Sequence, residues 1–460
     1  MKRLQAFLPP AGIFTLALLV RIVYNVVVDR DYYPLHDSGF YQSIALHLHH
    51  EHCYCLHPYL STVDRAPLWP FVIGIIYWVL GDHDHFVRFF LSFVGSGTCV
   101  LIYFFARDLF SKRIAVVAGI VAAFYPELYI YDGWLYSESL YIFLLLAFCY
   151  ALYRLQRTPH RNWIIACGVL LGLLSLTRPN GLLVTALVIL WAIIMGWKKI
   201  LSWRTASRSV LAIILISFIF VIPWTIRNYA VSHAFVPVAT GDGKVLLGAY
   251  NDMILTRPEY LGMWILPDES TPSIAQPFEK NCAAGCEIRR ETTYKYYAGQ
   301  WIEEHVTDMP FLLGIHFVNM WQPATNEADL ITNRFPDRPT SVVTLFMMRT
   351  FPIPIFALAA LGLVVTRKRW RELTFIYLMI LMTIAQCIVF YGSPRFRAPI
   401  EPMLILLAAG AIWWFLNRRR KIDKVSTDEL ADGEVKDEFI DMVVTEGRKK
   451  SESFNRQGNW

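Results

Sequence analysis

Residues 35–57 read LHDSGFYQSIALHLHHEHCYCLH and hold six histidines, two cysteines and two acids. Side chains of these types either ligate a metal or work as acids and bases. For a metal, His50, His52, Cys53 and His57 are the candidate ligands, and GDHDH (81–85) adds imidazoles and carboxylates nearby in sequence. Zinc sites space their ligands in separated pairs such as C-x2-C or H-x3-H. A run this dense need not converge on one point. The first reading is therefore a hydrated, His-rich loop at a membrane interface, with the metal set as the weaker alternative. Asp37 stands apart from that run, at the start of the segment HDSGFYQSIALHL.

The other residues able to do chemistry lie at the ends of apolar runs. They are Asp64 and Arg65, then Glu127, Asp132 and Glu138, then Arg178 in LTRPNG, Arg227 in PWTIRN, and Arg395 and Arg397 in YGSPRFRAP. An Asp or Arg at mid-membrane costs about 2.5–3.5 kcal/mol on insertion scales. Helix ends avoid most of that cost, so an ordinary hydrated rim explains any one of them alone. The arginines are harder to explain, because basic residues are disfavoured on the outer side of a membrane. Guanidinium forks bind phosphate bidentately, so a phosphorylated lipid is the natural partner. Pro394 and Pro399 oppose regular helix, and an extended PRFR would project Arg395 and Arg397 to one side.

These residues must be positioned by a membrane scaffold. The chain has 460 residues, 55% of them hydrophobic and only 17% charged, against about 25% charged in soluble proteins. Its net charge of +6 is dispersed in short loops, which does not suggest nucleic acid. Apolar runs long enough to span lie at roughly 8–28, 86–106, 114–131, 135–153, 162–177, 180–197, 209–227, 342–366, 372–391 and 398–416. The first continues directly from Lys2 and Arg3, so it reads as a spanning helix rather than a cleavable signal. The expectation is an all-α polytopic membrane protein of about ten transmembrane helices. ARDLFSKR, YRLQRTPHR, GWKKILSWRTASR, TRKRWR and NRRRK are basic, whereas ELYIYDGWLYSE (127–138) has no Lys or Arg. The positive-inside rule places the basic loops and both termini in the cytoplasm. Segments 29–85 and 228–341 then face outward, the second as a small extracytoplasmic domain. Residues 1–227 form a transmembrane catalytic module, 342–416 the last transmembrane helices, and 417–460 a polar tail expected to be disordered.

Within 29–85, APLWPFVIGIIYWVLG (66–81) is too short to span, and with HDSGFYQSIALHL it is expected to lie along the interface. Cys99, Cys149, Cys167 and Cys387 sit in apolar helices. Cys53, Cys55, Cys282 and Cys286 face the oxidising side. A local Cys282–Cys286 bridge, a strained Cys53–Cys55 bridge, or a bridge between the two segments all fit.

DSGFY, RAPLWP, SESLYIFL, LTRPNG, PWTIRN and YGSPRFRAP, in that order, resemble the GT-C superfamily of polyprenyl-phosphate-dependent glycosyltransferases. More narrowly, the chain resembles the protein O-mannosyltransferase-like group that includes the lipid A aminoarabinose transferase. The likeness runs over about 1–250 and 391–416. It implies that Asp37 is the catalytic base or orients the acceptor, and that Arg65 contacts the donor phosphate. LTRP and PRFR extend phosphate binding to Arg178, Arg395 and Arg397, with Asp64, Tyr41 and Arg227 in support. Some relatives carry two acids in a row in the first loop, whereas Ser38 follows Asp37 here. That departure weighs against a protein acceptor and turns attention to Glu127 and Glu138 as further catalytic carboxylates.

The resulting expectation is inverting transfer of a sugar from a polyprenyl-phosphate donor to a hydroxyl of a lipid, glycan or protein outside the cytoplasm. The membrane is expected to be a prokaryotic cytoplasmic membrane. No cofactor is required, since arginines can stabilise the leaving phosphate, though a divalent metal has room. The rival class is a transporter or lipid-linked-sugar flippase. Transporters carry ionisable groups near the midplane, and here Arg21 with Asn25 is the clearest buried polar pair, while the other charges gather at the outer rim.

Overall fold

The computed structural model describes residues 2–278, 282–325, 327 and 330–418; the expected disordered tail lies, beyond Arg418, outside the described residues. Six helical runs among them are long and apolar enough to cross a bilayer: Phe7–Val28, Asp84–Leu109, Glu138–Arg157, Trp203–Ser232, Pro339–Val389 and Pro394–Arg418. A seventh is Lys112–Phe124 with Pro126–Gly133, if this pair counts as one crossing despite its 71° bend. The chain is an all-α, multi-pass membrane protein.

The difference from ten expected spans has local causes. Arg161–Thr177 and Gly181–Trp197 have 17 residues each, about 25 Å against a hydrocarbon core of about 30 Å. The spans expected at 342–366 and 372–391 form one helical run, joined by the tight turn Arg367–Arg369. The span expected over 114–131 is broken at Tyr125, whose backbone is extended (φ −78°, ψ 113°) ahead of Pro126. A residue before proline is driven out of helical conformation by the ring, so the break follows from the sequence.

That break has a large consequence. Residues 125–142 do not form a hydrated outer turn: every one of them is buried. Folding a polar turn inward requires partners for its charges. Asp132 takes the Nε of Arg21 at 2.5 Å, both side chains being fully buried. Arg21 had been paired in expectation with Asn25, which instead donates to Ser92 Oγ at 2.9 Å. The ion pair lies directly over Gly95, where an added Cβ would stand 2.1 Å from Asp132 Oδ2. A side chain there would break the pair.

Above the bundle, helices His36–Glu51 and Leu68–Leu80 pack on each other. A short antiparallel hairpin, Cys55–His57 with Leu60–Ser61, joins them, pairing Cys55 with Ser61. Tyr41, Ile44 and Ala45 are buried on the first helix; Trp69, Ile73 and Tyr77 on the second. Both cysteine pairs close locally, Cys53 to Cys55 and Cys282 to Cys286. A second hydrophobic core, with Leu247, Tyr250, Ile254, Tyr294, Ala298 and Leu312, is built from the segment after residue 241.

Candidate active site

A cavity of about 780 Å³ lies between this outer layer and the bundle. Its lining combines apolar side chains, among them Leu145, Met379, Met382, Phe390 and Pro399, with the charged Asp37, Asp64, Arg65, Arg178, Lys244, Glu327 and Arg395. Local structure explains how each arrives. Asp37 stands in the first turn of its helix, where a carboxylate faces the positive end of the helix dipole. Arg178 is extended (φ −149°, ψ 138°) because Pro179 follows it, so its side chain leaves the end of the Arg161–Thr177 helix. Glu138 begins the Glu138–Arg157 helix.

YGSPRFRAP brings in Arg395. Contrary to the extended expectation, Pro394–Arg397 is a helical turn with Pro at its start and Ser393 Oγ accepting from the Arg395 N–H at 3.2 Å. Proline is well placed at a first helical position, where no N–H is needed. Two residues apart on a helix point to nearly opposite sides, so Arg395 and Arg397 part company. Gly392 permits the approach: an added Cβ would stand 1.8 Å from the carbonyl oxygen of His316.

The charges form a continuous chain. Arg65 Nη1 meets Asp64 Oδ2 at 2.5 Å, and its Nη2 meets Asp37 Oδ1 at 3.2 Å. Asp37 Oδ2 accepts from Arg395 Nη2 at 2.8 Å. Arg395 continues through Nε to Glu138 and through Nη1 to Glu327 at 3.4 Å, with its guanidinium 4.2 Å over the Tyr136 ring. Glu138 also holds Arg178 at 2.7 Å. Asp37 is 34% exposed, whereas Glu138 is fully buried. Burial would raise the Asp37 pKa, but Arg395 and Arg65 outweigh it and hold the carboxyl well below the usual range. The Asp64 carboxyl is lowered too, since Arg65 and Arg290 overcome its burial. Burial, helped by Arg65, lowers the Lys244 ammonium.

Of the expected site residues, Asp37, Asp64, Arg65, Tyr41, Arg178 and Arg395 line the cavity, and Glu138 backs it through two arginines. Three do not join them. Glu127 is fully buried, lines no part of the cavity, and neither of its carboxylate oxygens has a hydrogen-bond partner. Arg397 is fully buried and committed: Nε to Glu401 at 2.5 Å, and Nη1 to the carbonyls of Met320 (2.5 Å) and Gln322 (2.7 Å). Arg227 braces the outer layer through the carbonyls of Thr62 (2.6 Å) and Tyr54 (3.1 Å). Lys244 and Glu327 were not anticipated. For Lys244 the available signal is GDGK (241–244), a cation after two glycines in the otherwise unassigned segment 228–341. Glu327 has no signal of its own.

Residues 64–224 match the family model for dolichyl-phosphate-mannose-protein mannosyltransferases. By structure, the chain is similar to the Archaeoglobus fulgidus oligosaccharyltransferase AglB in complex with an inhibitory peptide and a dolichol-phosphate. That match has a TM-score of 0.56 and 12% identity, over 91% of this chain and 51% of that one. The fold is GT-C. A second A. fulgidus oligosaccharyltransferase structure, a complex with Zn and sulfate, matches at TM-score 0.52 and 13% identity, over 88% and 49%. ArnT from Cupriavidus metallidurans bound to undecaprenyl phosphate gives TM-score 0.41 and 13% identity, over 87% and 78%. No curated protein matches by sequence. The chain thus spans about half the length of the oligosaccharyltransferases it superposes on.

The metal candidates rearrange. Cys53 is in a disulfide and offers no thiolate. Among the described residues the cluster able to hold an ion is His49, His50 and Asp82, so His52 and His57 fall outside it. His50 Nε2 already meets Asp82 at 2.6 Å, and none of the three lines the cavity. At the cavity, Asp37 and Asp64 each face two guanidinium groups, as does Glu138 behind the lining. At these three carboxylates a divalent cation would have to displace an arginine fork to coordinate; Asp242, Asp268 and Glu327 also line the cavity.

Proposed function

We propose that the protein transfers a sugar from a polyprenyl-phosphate donor to an acceptor hydroxyl outside the cytoplasm, with inversion at the anomeric carbon. The observation that carries this reading is the cavity: an apolar slot with Arg65, Arg178, Arg395 and Lys244, and with Asp37, 34% exposed, held between Arg65 and Arg395. The slot between Leu145, Met379 and Phe390 suits a prenyl chain, and the cations suit its phosphate. Lys244 makes no ion pair with any described residue, and its Nζ lies 5.5 Å over the Phe40 ring. It is therefore a cation available to a ligand.

The arriving phosphate would compete with Asp37 for the forks of Arg65 and Arg395. Releasing those forks raises the proton affinity of Asp37 at the moment a base is needed. The acceptor oxygen then attacks the anomeric carbon as its proton passes to Asp37. The bond from that carbon to the phosphate oxygen breaks, and the electron pair leaves on the phosphate. The arginines stabilise that charge. Glu138, fully buried and held by two arginines, keeps the forks in place rather than acting as a base. Because arginines meet the leaving group, no step is assigned to a metal.

We place the cavity on the extracytoplasmic face of a prokaryotic cytoplasmic membrane, following the basic loops. Residues 1–227 and 342–416 form the membrane module, crossing ten times if the two 17-residue helices are counted as short spans and the 339–389 run as two. Residues 228–341 form the outer domain that shapes the acceptor side. The decisive experiment follows lipid-linked sugars in a deletion strain. A transferase leaves its donor unspent on the outer leaflet and one envelope glycan incomplete; unchanged lipid-linked sugars and envelope glycans would reject the assignment.

A further inference from the structure

The helix Ala284–Glu304 contributes no residue to the cavity lining, yet it grips both segments of chain that carry the cavity's outer cations. Glu287, Arg290 and Glu291 share one face, at spacings of three and four residues. Glu287 is 1% exposed. It accepts from Thr62 Oγ1 at 2.5 Å and from the Val63 N–H at 2.7 Å. Arg290 Nη2 reaches Asp64 Oδ1 at 2.5 Å, and the other oxygen of Asp64 holds Arg65. Glu291 accepts from the N–H groups of Gly241 (3.0 Å) and Gly243 (2.9 Å), immediately before Lys244. The two gripped segments are also tied to each other, Thr240 N–H donating to the Val63 carbonyl at 2.9 Å. Ala284 is buried with Val63 and Val236, which fixes the start of the helix on the same segment.

We propose that this face of the Ala284–Glu304 helix positions Arg65 and Lys244 for the donor phosphate, coupling phosphate affinity to the outer domain. The inference rests on reading the cavity as a phosphate site. Arg290 matters because Asp64 is shared: with Arg290 gone, Asp64 draws more of the Arg65 fork to itself and away from a ligand. Glu287 adds a charge at the same place. It is approached by Asp64 and Arg65 from the 62–65 strand, by Arg227 from the Trp203–Ser232 helix, by Tyr54, and by Arg290 from its own helix. Burial, then Asp64, raises its carboxyl to about 7. The neutral acid can keep both bonds by donating to Thr62 Oγ1 while still accepting from Val63. Ionisation therefore changes the field behind Arg65 more than the contacts, and an anionic ligand binds more weakly above pH 7.

The test uses the full chain in detergent and farnesyl methyl phosphate as probe, a phosphodiester whose single charge is constant from about pH 5 to 9. Wild-type affinity should fall several-fold as pH rises through 7. Glu287→Gln, which retains both bonds, should hold the low-pH affinity throughout. Arg290→Ala should weaken the probe several-fold, with partial recovery in Arg290→Lys. In Arg290→Ala and Glu287→Ala, amide exchange should quicken at 62–65 and 241–244 and stay unchanged in the membrane helices. Wild-type-like binding by Arg290→Ala, or a pH step that persists in Glu287→Gln, overturns the proposal. If wild type binds no probe at any pH, the phosphate reading itself falls. The exchange data still decide the clamp: unchanged protection at both segments rejects it.

Discussion

Two arginine clusters in this molecule use the same chemistry to opposite ends. At Arg397 and Glu401, and again at Arg21 and Asp132, the pairs are fully buried and each guanidinium is closed off by one carboxylate and backbone carbonyls. Around Asp37 the arginines are 11–15% exposed; Arg65 and Arg395 are each shared among carboxylates, and Arg178 shares Glu138 with Arg395. A closed pair resists exchange, because removing one partner strands a buried charge. A shared, cavity-facing network can exchange a carboxylate for a phosphate with little reorganisation. The contrast separates a scaffold from a site even where the sequence places the two a single residue apart, as at Arg395 and Arg397.

The hardest break is at the exposed carboxylate. Asp37→Asn should fold and insert normally while single-turnover rate falls about 10²–10⁴-fold, the usual weight of general-base catalysis; near-normal turnover at saturating donor would remove Asp37 as base. The pH profile sharpens the same point. The Asp37 carboxyl is depressed in the folded protein, so its charge is complete above the ordinary carboxylate range and lost only as pH falls through the lower folded value. Free-enzyme activity should therefore show no acid limb from Asp37 near pH 4; a limb there assigns the base elsewhere.

On the scaffold side, Arg397→Ala should cost about 3–5 kcal/mol of stability, as breaking a buried pair does. It would be read as a lost monodisperse peak and a lowered Tm. Arg395→Ala should leave the fold intact and weaken donor binding by roughly 1.5–3 kcal/mol, the value of a charge-assisted hydrogen bond. If the two variants behaved alike, the division between closed and shared clusters would fail. Glu127→Gln tests the least committed carboxylate. Its oxygens make no hydrogen bond and reach no cavity, so donor affinity and turnover should stay within a few-fold of wild type. The smallest effect is expected from replacing His49, His50, His52 and His57 together with Gln. Activity should persist, and a folded but inactive variant, with stoichiometric zinc in wild type, would restore the metal reading.

The membrane class and the cavity residues Asp37, Tyr41, Asp64, Arg65, Arg178 and Arg395 were legible without coordinates. Each rests on local physics: apolar run length, a proline's effect on its neighbours, and the cost of a charge on the outer side. The spacing in LTRPNG placed Arg178 at a helix end, whereas the break at Pro126 was passed over in reading 114–131 as one span. Other features were not local. Whether 125–142 faced water or folded inward depended on Arg21, more than a hundred residues earlier, supplying a counter-charge to Asp132. Whether PRFR was extended or helical depended on the cap from Ser393 and the close passage of Gly392 over His316. Lys244 and Glu327 sat in segments with no pattern to flag them, and only packing brought them to Arg65 and Arg395. Sequence by itself determined which charges had to be answered, because an unpaired charge in an apolar setting is costly wherever it lies. Tertiary structure alone decided which were answered by protein and which stand open to a ligand, because that depends on contacts between segments far apart in the chain.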